Sequence, residues 1–341
     1  MIDIRSMLPG ELEEYMHRLG EPKFRAAQVF SWLNKGVRDF AEMTNLSKSL
    51  REKLAEYAYL SAPRCLRKQR SAADGTEKYL WELRDGNAVE TVVMRYSHGA
   101  TVCISTQVGC RMGCAFCAST IGGLIRNLTA GEMLDEVLFS QLEFGEKISN
   151  IVLMGIGEPL DNYDNVLRFL RLVNDPGGLN IGMRHISLST CGLTERIDDL
   201  AAEDLQLTLA ISLHAPDDAT RSRLMPANRG RGVERIMNVC RAYFERTGRR
   251  ITFEYAMIDG VNVSREQAEA LAALAKKTGA HINLIPLNHV DERPFSPPDR
   301  ETAAAFCRIL EERGANYTVR RSLGGDIDSS CGQLRRKFER E

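Results

Sequence analysis

The sequence has almost no net charge. Its 341 residues include 45 Lys and Arg against 46 Asp and Glu, so the formal net charge at pH 7 is -1. This balance excludes nucleic-acid binding through the overall charge of the chain. Any contact with nucleic acid must therefore come from local basic patches.

Long apolar runs are also missing. No uncharged stretch reaches the roughly 18 residues that a membrane-spanning helix needs, and residues Met1 to Arg5 lack the apolar run of a secretory signal. The sequence also has no low-complexity tract. With 43% hydrophobic residues the chain can bury a substantial core, and we expect a cytoplasmic protein that does not bind membranes.

Cysteine, in contrast, is plentiful and locally crowded. Three of the nine cysteines, Cys110, Cys114 and Cys117, lie within eight residues, and no fourth Cys or His follows closely. A structural zinc site and a cubane iron–sulfur cluster both normally take four protein ligands, so three thiolates would leave one iron open to a small molecule. This spacing is typical of radical S-adenosylmethionine (SAM) enzymes. The alternatives are an incomplete zinc knuckle or buried reduced thiols.

The first third of the chain predicts a helical unit followed by a hairpin. Residues 1–70 show apolar positions at helical spacing in three segments. The basic stretch 64–70 at their end is either a functional basic patch or a solvated connector. Residues 78–83 and 89–94 are rich in β-formers and flank Asp85-Gly86-Asn87, a strong turn signal.

From residue 101 onward the pattern alternates between strand and helix. Six strand–helix pairs predict a parallel sheet of the α/β class, and six units are too few to close an eight-stranded barrel. We therefore predict an open, partial (β/α)6 barrel, with a final strand near 317–320. The predicted strands are 101–106, 148–154, 185–190, 207–213, 251–257 and 281–287, and the predicted helices are 131–144, 162–174, 194–203, 233–246, 264–278 and 299–313.

Glycine and small polar residues follow five of these strands, where parallel βα folds gather their reactive groups. Glycine lets a ligand approach the backbone, Glu158 can accept hydrogen bonds from an ammonium group, and Ser, His and Asn can bind a ribose. Taken singly, such residues are ordinary turns, helix caps or buried histidines; together they predict a ligand site. The strand-end segments are the cysteine loop, 155–159, 189–192, 212–214 and 286–288.

Several motifs together resemble one family, the RNA adenine methyltransferases of the RlmN and Cfr type. The resemblance covers nearly the whole chain. The cluster cysteines alone identify the superfamily, whereas Cys331 near the C-terminus and Cys103, seven residues before the cluster loop, narrow it to this group. The matching runs are CISTQVGC at 103–110, RNL at 126–128, MGIGEPL at 154–160, SLHAP at 212–216 and DIDSSCGQL at 326–334.

The resemblance implies a set of residue roles. Cys110, Cys114 and Cys117 would hold a 4Fe–4S cluster. Cys331 would carry the methyl group, Glu90 would accept a proton, and Cys103 would resolve the protein–RNA adduct. Two SAM molecules would be used per turnover, one as methyl donor and one as radical source. The residues implied to contact SAM are Gly157, Glu158, Ser189, Ser212, Leu213, His214 and Asn288.

The same resemblance implies partners and a division of the chain. The expected substrates are ribosomal RNA and transfer RNA next to the anticodon, and a flavodoxin or ferredoxin system would reduce the cluster. The predicted domains are a helical accessory domain at 1–70 that contacts RNA, a β-hairpin extension at 71–98, a radical SAM barrel at 99–325 and a tail at 326–341. The basic clusters expected to contact RNA are 64–70, 249–250, 320–321 and the tail residues 335–337 and 340.

Three other functions remain open at this point. The first is methylation of carbon-8 of the same ribosomal adenine, the antibiotic-resistance type, although the context Cys117-Ala118-Ser119-Thr120 favours carbon-2. The second is a radical SAM enzyme that acts on a small molecule or a protein. The third is a metal-binding RNA module without catalytic activity.

Overall fold

A computed structural model describes residues 1–288, 290–321, 323–327 and 333–338 of the chain. Cys331, the predicted methyl carrier, lies outside these residues. The strands are β1 (Ile2–Asp3), β2 (Ala58–Tyr59), β3 (Arg64–Arg70), β4 (Glu77–Glu82), β5 (Ala88–Tyr96), β6 (Gly99–Cys103), β7 (Gln107–Gly109), β8 (Leu124–Asn127), β9 (Ile148–Leu153), β10 (Ile186–Thr190), β11 (Thr208–Ser212), β12 (Thr252–Met257), β13 (His281–Pro286) and β14 (Tyr317–Val319).

Helices fill most of the connections between these strands. They are α1 (Pro9–Arg18), α2 (Phe24–Leu33), α3 (Lys48–Tyr57), α4 (Ala130–Phe144), α5 (Tyr163–Asn174), α6 (Thr194–Ala202), α7 (Asp218–Leu224), α8 (Gly232–Thr247), α9 (Arg265–Thr278), α10 (Arg300–Glu312) and α11 (Gln333–Phe338). Short 3-10 turns add Ile4–Ser6, Phe40–Glu42, Ala118–Thr120, Pro159–Asn162, Met183–His185 and Pro226–Asn228.

Ten of the strands form one mixed sheet in the order β14-β13-β12-β11-β10-β9-β6-β5-β4-β3. The strands from β6 and β9 to β14 pair in parallel, and a helix follows nearly every one of them. The six predicted βα units are therefore confirmed, and β14 extends the sheet where a final strand was predicted. Because β14 and β3 are the two ends of this order, the sheet is open.

The N-terminal segment contains the three predicted helices, α1, α2 and α3. Their apolar faces join the main hydrophobic core. A buried ion pair fastens this segment to the barrel, because the Arg5 guanidinium lies 2.8 Å from the Asp135 carboxylate of α4. The same guanidinium donates to the carbonyls of Leu33 and Val37, at 2.5 and 2.7 Å. One side chain thus joins the helices to the barrel.

The stretch 64–70 was predicted to belong to the N-terminal helical domain, and that prediction is wrong. These residues form β3, which pairs with β4 in antiparallel fashion at the outer end of the main sheet. An edge strand is solvated on one side and can carry polar residues throughout. The run RCLRKQR therefore lacks the alternation of apolar and polar residues by which a half-buried strand is recognised.

The predicted hairpin is present as β4 and β5, with the turn at Asp85-Gly86. Gly86 has a φ of 82°, which glycine adopts without the strain of a side chain. The hairpin is not a separate extension, however, because β5 also pairs with β6 in antiparallel register. A continuous sheet therefore runs from the hairpin into the barrel, and it brings β4 and β5 alongside the strand that ends at Cys103.

The sequence did not reveal a small two-stranded ribbon of β7 and β8, which frames the cysteine loop. At its end, Gly109 has a φ of 79°, and a Cβ built there would lie 2.0 Å from the carbonyl oxygen of Gly123. A glycine is thus required where the two sides of the loop approach each other. Helix α7 was also not predicted, because its seven residues, DATRSRL, show little apolar periodicity.

Candidate active site at the carboxyl ends of the strands

A cavity of about 330 Å³ opens at the carboxyl ends of the parallel strands. The residues lining it come from the cysteine loop, from the ends of β6 and β9 to β13, and from the segment after β14. Ten of the residues predicted for the site meet there, namely Cys103, Cys110, Cys114, Cys117, Gly157, Glu158, Ser189, Ser212, His214 and Asn288.

Two predicted residues are placed differently, and a third lies outside the described residues. Leu213 is fully buried in the hydrophobic core, so it can offer a ligand its main chain at most. Glu90 is buried on β5, on the same face as Val92 and Met94, which do line the cavity. Cys331 lies outside the described residues, and its position relative to the cavity is a prediction.

Backbone hydrogen bonds hold the cysteine loop in place. The N–H of Cys110 donates to Gly123 O at 3.0 Å, and that of Ala115 donates to Leu224 O at 2.8 Å. The Thr120 hydroxyl donates to the carbonyls of Cys114 and Cys117, at 3.1 and 3.0 Å. These contacts fix the main chain of the loop that carries the three thiols.

The thiols of this loop sit in an apolar environment. Burial raises the pKa of Cys110 to about 12 and also raises that of Cys114, with the neighbouring thiols adding to the effect. Deprotonated thiols at such positions need a compensating positive charge, which a metal centre supplies. Among the described residues, no group of three His, Cys, Asp or Glu side chains is placed to bind a single metal ion. An iron–sulfur cubane does not require such a group, because each of its thiolates binds a different iron.

Glu158 is a buried carboxylate at the bottom of the loop after β9. Its oxygens accept hydrogen bonds from the N–H groups of Cys191 and Leu160, at 2.7 and 3.0 Å. Each carboxylate oxygen can accept more than one bond, so the cavity side of Glu158 can still receive a ligand ammonium. Burial raises its pKa, whereas these N–H groups lower it. Next to it, Gly157 has a φ of 114°, and its missing side chain leaves room for Gln107.

His214 presents a defined tautomer to the cavity. Its Nδ1 accepts the N–H of Ala256 at 2.9 Å, so in the neutral ring Nε2 carries the proton. Burial lowers its pKa to about 3, and the nearby Arg221 charge acts in the same direction. The ring also meets Phe116 of the cysteine loop edge-on, at 5.0 Å between centroids. The neutral His214 ring is therefore a hydrogen-bond donor that packs against the cysteine loop.

Two hydroxyls continue this polar wall. Ser189 Oγ and Ser212 Oγ lie 3.2 Å apart on adjacent strands. Behind them, the fully buried Arg221 donates to the carbonyls of Cys191, Ser212 and Leu213, at 2.6, 3.1 and 3.1 Å. The ends of β10 and β11 are thus tied to α7. No sequence signal for this role was recognised, since α7 itself was not predicted.

Glu254 on β12 is another cavity residue that was not predicted. It is the one acidic residue in the otherwise apolar run ITFEYAM, and this could have drawn attention to it. Burial raises its pKa to about 7, opposed by Arg320 and by the amide of Asn283, which donates to Oε2 at 2.8 Å. Arg320 and Arg321 line the same cavity.

Cys103 and Glu90 flank the cavity on the hairpin side. Cys103 packs against Val92 and Met94 in a small apolar cluster of its own. Glu90 makes an ion pair with Lys78, at 2.9 Å between Nζ and Oε2. Its Oε1 accepts the main-chain N–H of Arg335 at 2.5 Å. The segment four residues beyond Cys331 therefore contacts Glu90.

Comparisons with known proteins agree with this geometry. The radical SAM superfamily matches residues 104–275, and the ribosomal RNA large subunit methyltransferase N-terminal domain matches residues 2–60. The chain is 53% identical over 336 residues to the probable dual-specificity RNA methyltransferase RlmN of Alkaliphilus oremlandii, which covers 98% of both chains. This chain belongs to the RlmN family.

Further similarities extend over the full length. The RlmN of Desulforamulus reducens is 53% identical over 339 residues, covering 99% of this chain and 97% of its own. A crystal structure of a radical SAM methyltransferase from Sphaerobacter thermophilus has a TM-score of 0.93 at 44% identity and covers 98% of this chain and 99% of its own. The predicted family and the predicted partial radical SAM barrel are thus confirmed.

Membership of the RlmN family also confirms the predicted cofactors, a 4Fe–4S cluster and SAM. The described residues fit both. Three thiols line the cavity together with a buried carboxylate, two hydroxyls and a ring N–H. Among the described residues, no helix is long and apolar enough to cross a membrane.

Proposed function

We propose that this enzyme methylates carbon-2 of one adenine in large-subunit ribosomal RNA, and of an adenine next to the anticodon in transfer RNA. The observation that carries the proposal is the cavity that brings Cys103 to the three loop thiols, in a chain half identical to RNA methyltransferases named dual-specificity. Those names also favour carbon-2 over the carbon-8 alternative, which belongs to the resistance branch.

The two cofactors would share this cavity, side by side. Cys110, Cys114 and Cys117 would hold the cluster, which when bound supplies the electron that cleaves SAM. Glu158 would accept hydrogen bonds from the ammonium group of SAM. Gly157 would let SAM approach the protein main chain closely. Ser189, Ser212, the Leu213 main chain, His214 and Asn288 would bind the remaining polar groups of SAM.

Carbon-2 of adenine is not nucleophilic, so it cannot attack a sulfonium methyl directly. The thiolate of Cys331 would accept the methyl from a first SAM, forming a sulfur–carbon bond as S-adenosylhomocysteine leaves. This S-methyl group would lose a hydrogen atom to the adenosyl fragment of the second SAM, which leaves as 5′-deoxyadenosine. The remaining methylene radical would bond to the ring carbon, and the unpaired electron would pass into the ring. Cys331 would thus link protein and RNA covalently.

Two further residues would complete the reaction. Glu90 would accept the proton of the ring carbon, whose bonding electrons return to the ring. Cys103 would then attack the Cys331 sulfur, so that a disulfide forms and the carbon–sulfur bond to the RNA breaks. The released carbon would take up a solvent proton to become the methyl group, and the surplus electron of the adduct would pass to an acceptor such as the oxidised cluster. The position of Cys103 in the cavity wall supports this role. A cellular reductant must restore both thiols, and a flavodoxin or ferredoxin system would reduce the cluster.

RNA would reach the cavity through its basic rim. Arg320 and Arg321 line the cavity, and Arg335 and Lys337 follow on α11, close to Glu90. The β3 cluster is less positive than its sequence suggests, because Lys68 lies 2.9 Å from Glu77 and Arg64 lies 2.7 Å from Glu82. The helical segment at 1–70 would add a second contact. A target in a loop is easier to unstack than one in a duplex.

The test uses the cluster-loaded enzyme, SAM carrying a trideuterated methyl, and ribosomal or transfer RNA transcripts. Mass spectrometry of the digested nucleosides should find 2-methyladenosine with two deuterium atoms in its methyl group, and the third on 5′-deoxyadenosine. A fully deuterated methyl would contradict the route through a methylene. 8-Methyladenosine would identify the resistance branch. Unmodified RNA together with cleaved SAM would indicate a non-RNA substrate. Cys331→Ala is the control that should give no product.

A further inference from the structure

Lys78 is a buried lysine that the sequence did not single out. Its side chain on β4 is fully buried, and its Nζ lies 2.9 Å from Oε2 of Glu90. A buried ion pair is costly to form, and apolar residues of similar size commonly give equal stability. The position of this pair therefore points to a role beyond holding the sheet together.

The strand register places Lys78 on the cavity face of the sheet. Lys78 pairs with Val92 of β5, and Val92 pairs with Cys103 of β6. Directly opposed residues point to the same side of a sheet, so these three side chains form one row. Val92 and Cys103 line the cavity, and Glu90 lies one pleat away on the same face of β5.

We propose that Lys78 is the positioning residue of Glu90 in the methylation reaction. This inference rests on the proposed function. The ammonium of Lys78 lies 2.9 Å from Oε2 and fixes the orientation of the carboxylate on β5 through a charge-assisted hydrogen bond. Oε1 is then the atom that accepts the proton. In that step the carbon–hydrogen bond of the adduct breaks, the proton passes to Oε1, and the electron pair stays in the ring.

Arg335 contacts the other oxygen of Glu90. Its main-chain N–H donates to Oε1 at 2.5 Å, and a carboxylate oxygen can accept more than one hydrogen bond, so Oε1 can receive the proton beside this contact. Lys78 itself need not touch the RNA, and it is thus distinct from a catalytic residue.

The test is the variant Lys78→Met, which is similar in length but uncharged. We expect Cys331 methylation and SAM cleavage within about twofold of wild type, because neither step uses Glu90. Release of methylated RNA should fall at least tenfold, and a covalent protein–RNA species should accumulate on denaturing gels. Glu90→Gln should trap the same species. Lys78→Arg keeps the charge and should restore most of the release.

Two comparisons separate positioning from a merely structural role. In the double variant Lys78→Met with Glu90→Gln, release should be no slower than in Glu90→Gln alone, since Lys78 acts through Glu90. This variant also removes both charges, so it should fold even where Lys78→Met is unstable. Arg5→Met breaks a buried pair away from the cavity and should not raise the adduct fraction.

The inference is overturned if Lys78→Met releases product at the wild-type rate. It is also overturned if the double variant is slower than Glu90→Gln, or if methylation, SAM cleavage and release all fall in parallel. Failure of the proposed function looks different: wild type would then make no methylated RNA, and Glu90→Gln would trap no adduct.

Discussion

At the scale of single residues, burial decides the chemistry of the cavity. The environment that makes His214 a neutral donor also keeps Glu254 protonated at a pH where exposed carboxylates are ionised. A protonated Glu254 can donate a hydrogen bond into the cavity as well as accept one. The positive charge that lines the cavity comes from Arg320 and Arg321.

Glu254 should make stability depend on pH. Its pKa rises from 4.5 in the unfolded chain to about 7 in the fold, so the folded state binds the proton more tightly. The stabilisation is fully present below pH 4.5 and is lost as the pH rises to about 7. Between pH 5 and 8, the free energy of unfolding of wild type should fall relative to Glu254→Gln by on the order of 3 kcal/mol.

Anaerobic urea titrations at the two pH values would measure this difference. The exposed Glu312 of α10 supplies the control, because Glu312→Gln should leave the pH dependence of wild type unchanged. An equal pH dependence in wild type and Glu254→Gln would contradict the prediction.

At the scale of elements, two short segments position the cysteine loop and the strand ends around the cavity. The β7–β8 ribbon shapes the cysteine loop, and α7 connects two strand ends to that loop through Arg221 and the Leu224 carbonyl. Neither segment contributes much to the core, yet both fix where ligand groups sit. The long βα units provide the frame on which these segments act.

Gly109→Ala should disrupt the cluster site. The added Cβ would meet Gly123 O at 2.0 Å, and the residue would need a φ of 79°. We expect iron and sulfide per chain to fall at least severalfold after anaerobic reconstitution, while far-ultraviolet circular dichroism remains near wild type. Gly10→Ala, at a position with open space around it, should retain its cluster. Full iron content in Gly109→Ala would show that the loop can rearrange.

Arg221→Lys should weaken SAM binding. A lysine cannot reproduce the fork that reaches the carbonyls of Cys191, Ser212 and Leu213 together, and buried carbonyls left without donors cost about 1–3 kcal/mol each. We expect at least a tenfold loss of SAM affinity in cluster-loaded protein, measured by equilibrium dialysis. Arg223→Lys changes an exposed arginine of the same helix and should bind like wild type. Unchanged affinity in Arg221→Lys would mean that the strand ends hold their positions without the guanidinium.

At the scale of the whole molecule, one sheet joins the hairpin to the barrel, and one buried ion pair joins the N-terminal helices to α4. The hairpin can therefore present Glu90 and Lys78 to a cavity built by strands far along the chain. The helices at 1–70 stand at a fixed place beside this frame, where they can serve as a second contact for a large RNA.

Arg5→Met should destabilise the protein by about 3–5 kcal/mol, because it leaves the Asp135 carboxylate buried without its cation. A lower unfolding temperature in calorimetry would report this loss. The matched control is Lys48→Met, which removes an exposed pair with Glu52 at 3.8 Å and should change the stability by less than about 1 kcal/mol. A loss no larger than that of Lys48→Met would contradict the importance of the buried pair.

The sequence by itself determined the βα frame and the family. Apolar periodicity along each strand and helix is a local property, and it located all six units; the spacing of Cys110, Cys114 and Cys117 is equally local. Residues predicted at successive strand ends meet in one cavity because parallel strands align their carboxyl ends. Patterns of this kind need no knowledge of distant contacts.

Only the tertiary structure decided the rest. Residues 64–70 form a strand because they pair with β4. Their sequence does not show the alternation of apolar and polar residues that would predict one. The burial of Arg221 and Glu254, and the pairing of Lys78 with Glu90, depend on register and packing between residues that are distant in the chain or on neighbouring strands. Side-chain burial sets pKa values and hydrogen-bond partners, and burial is a property of the assembled fold rather than of any segment.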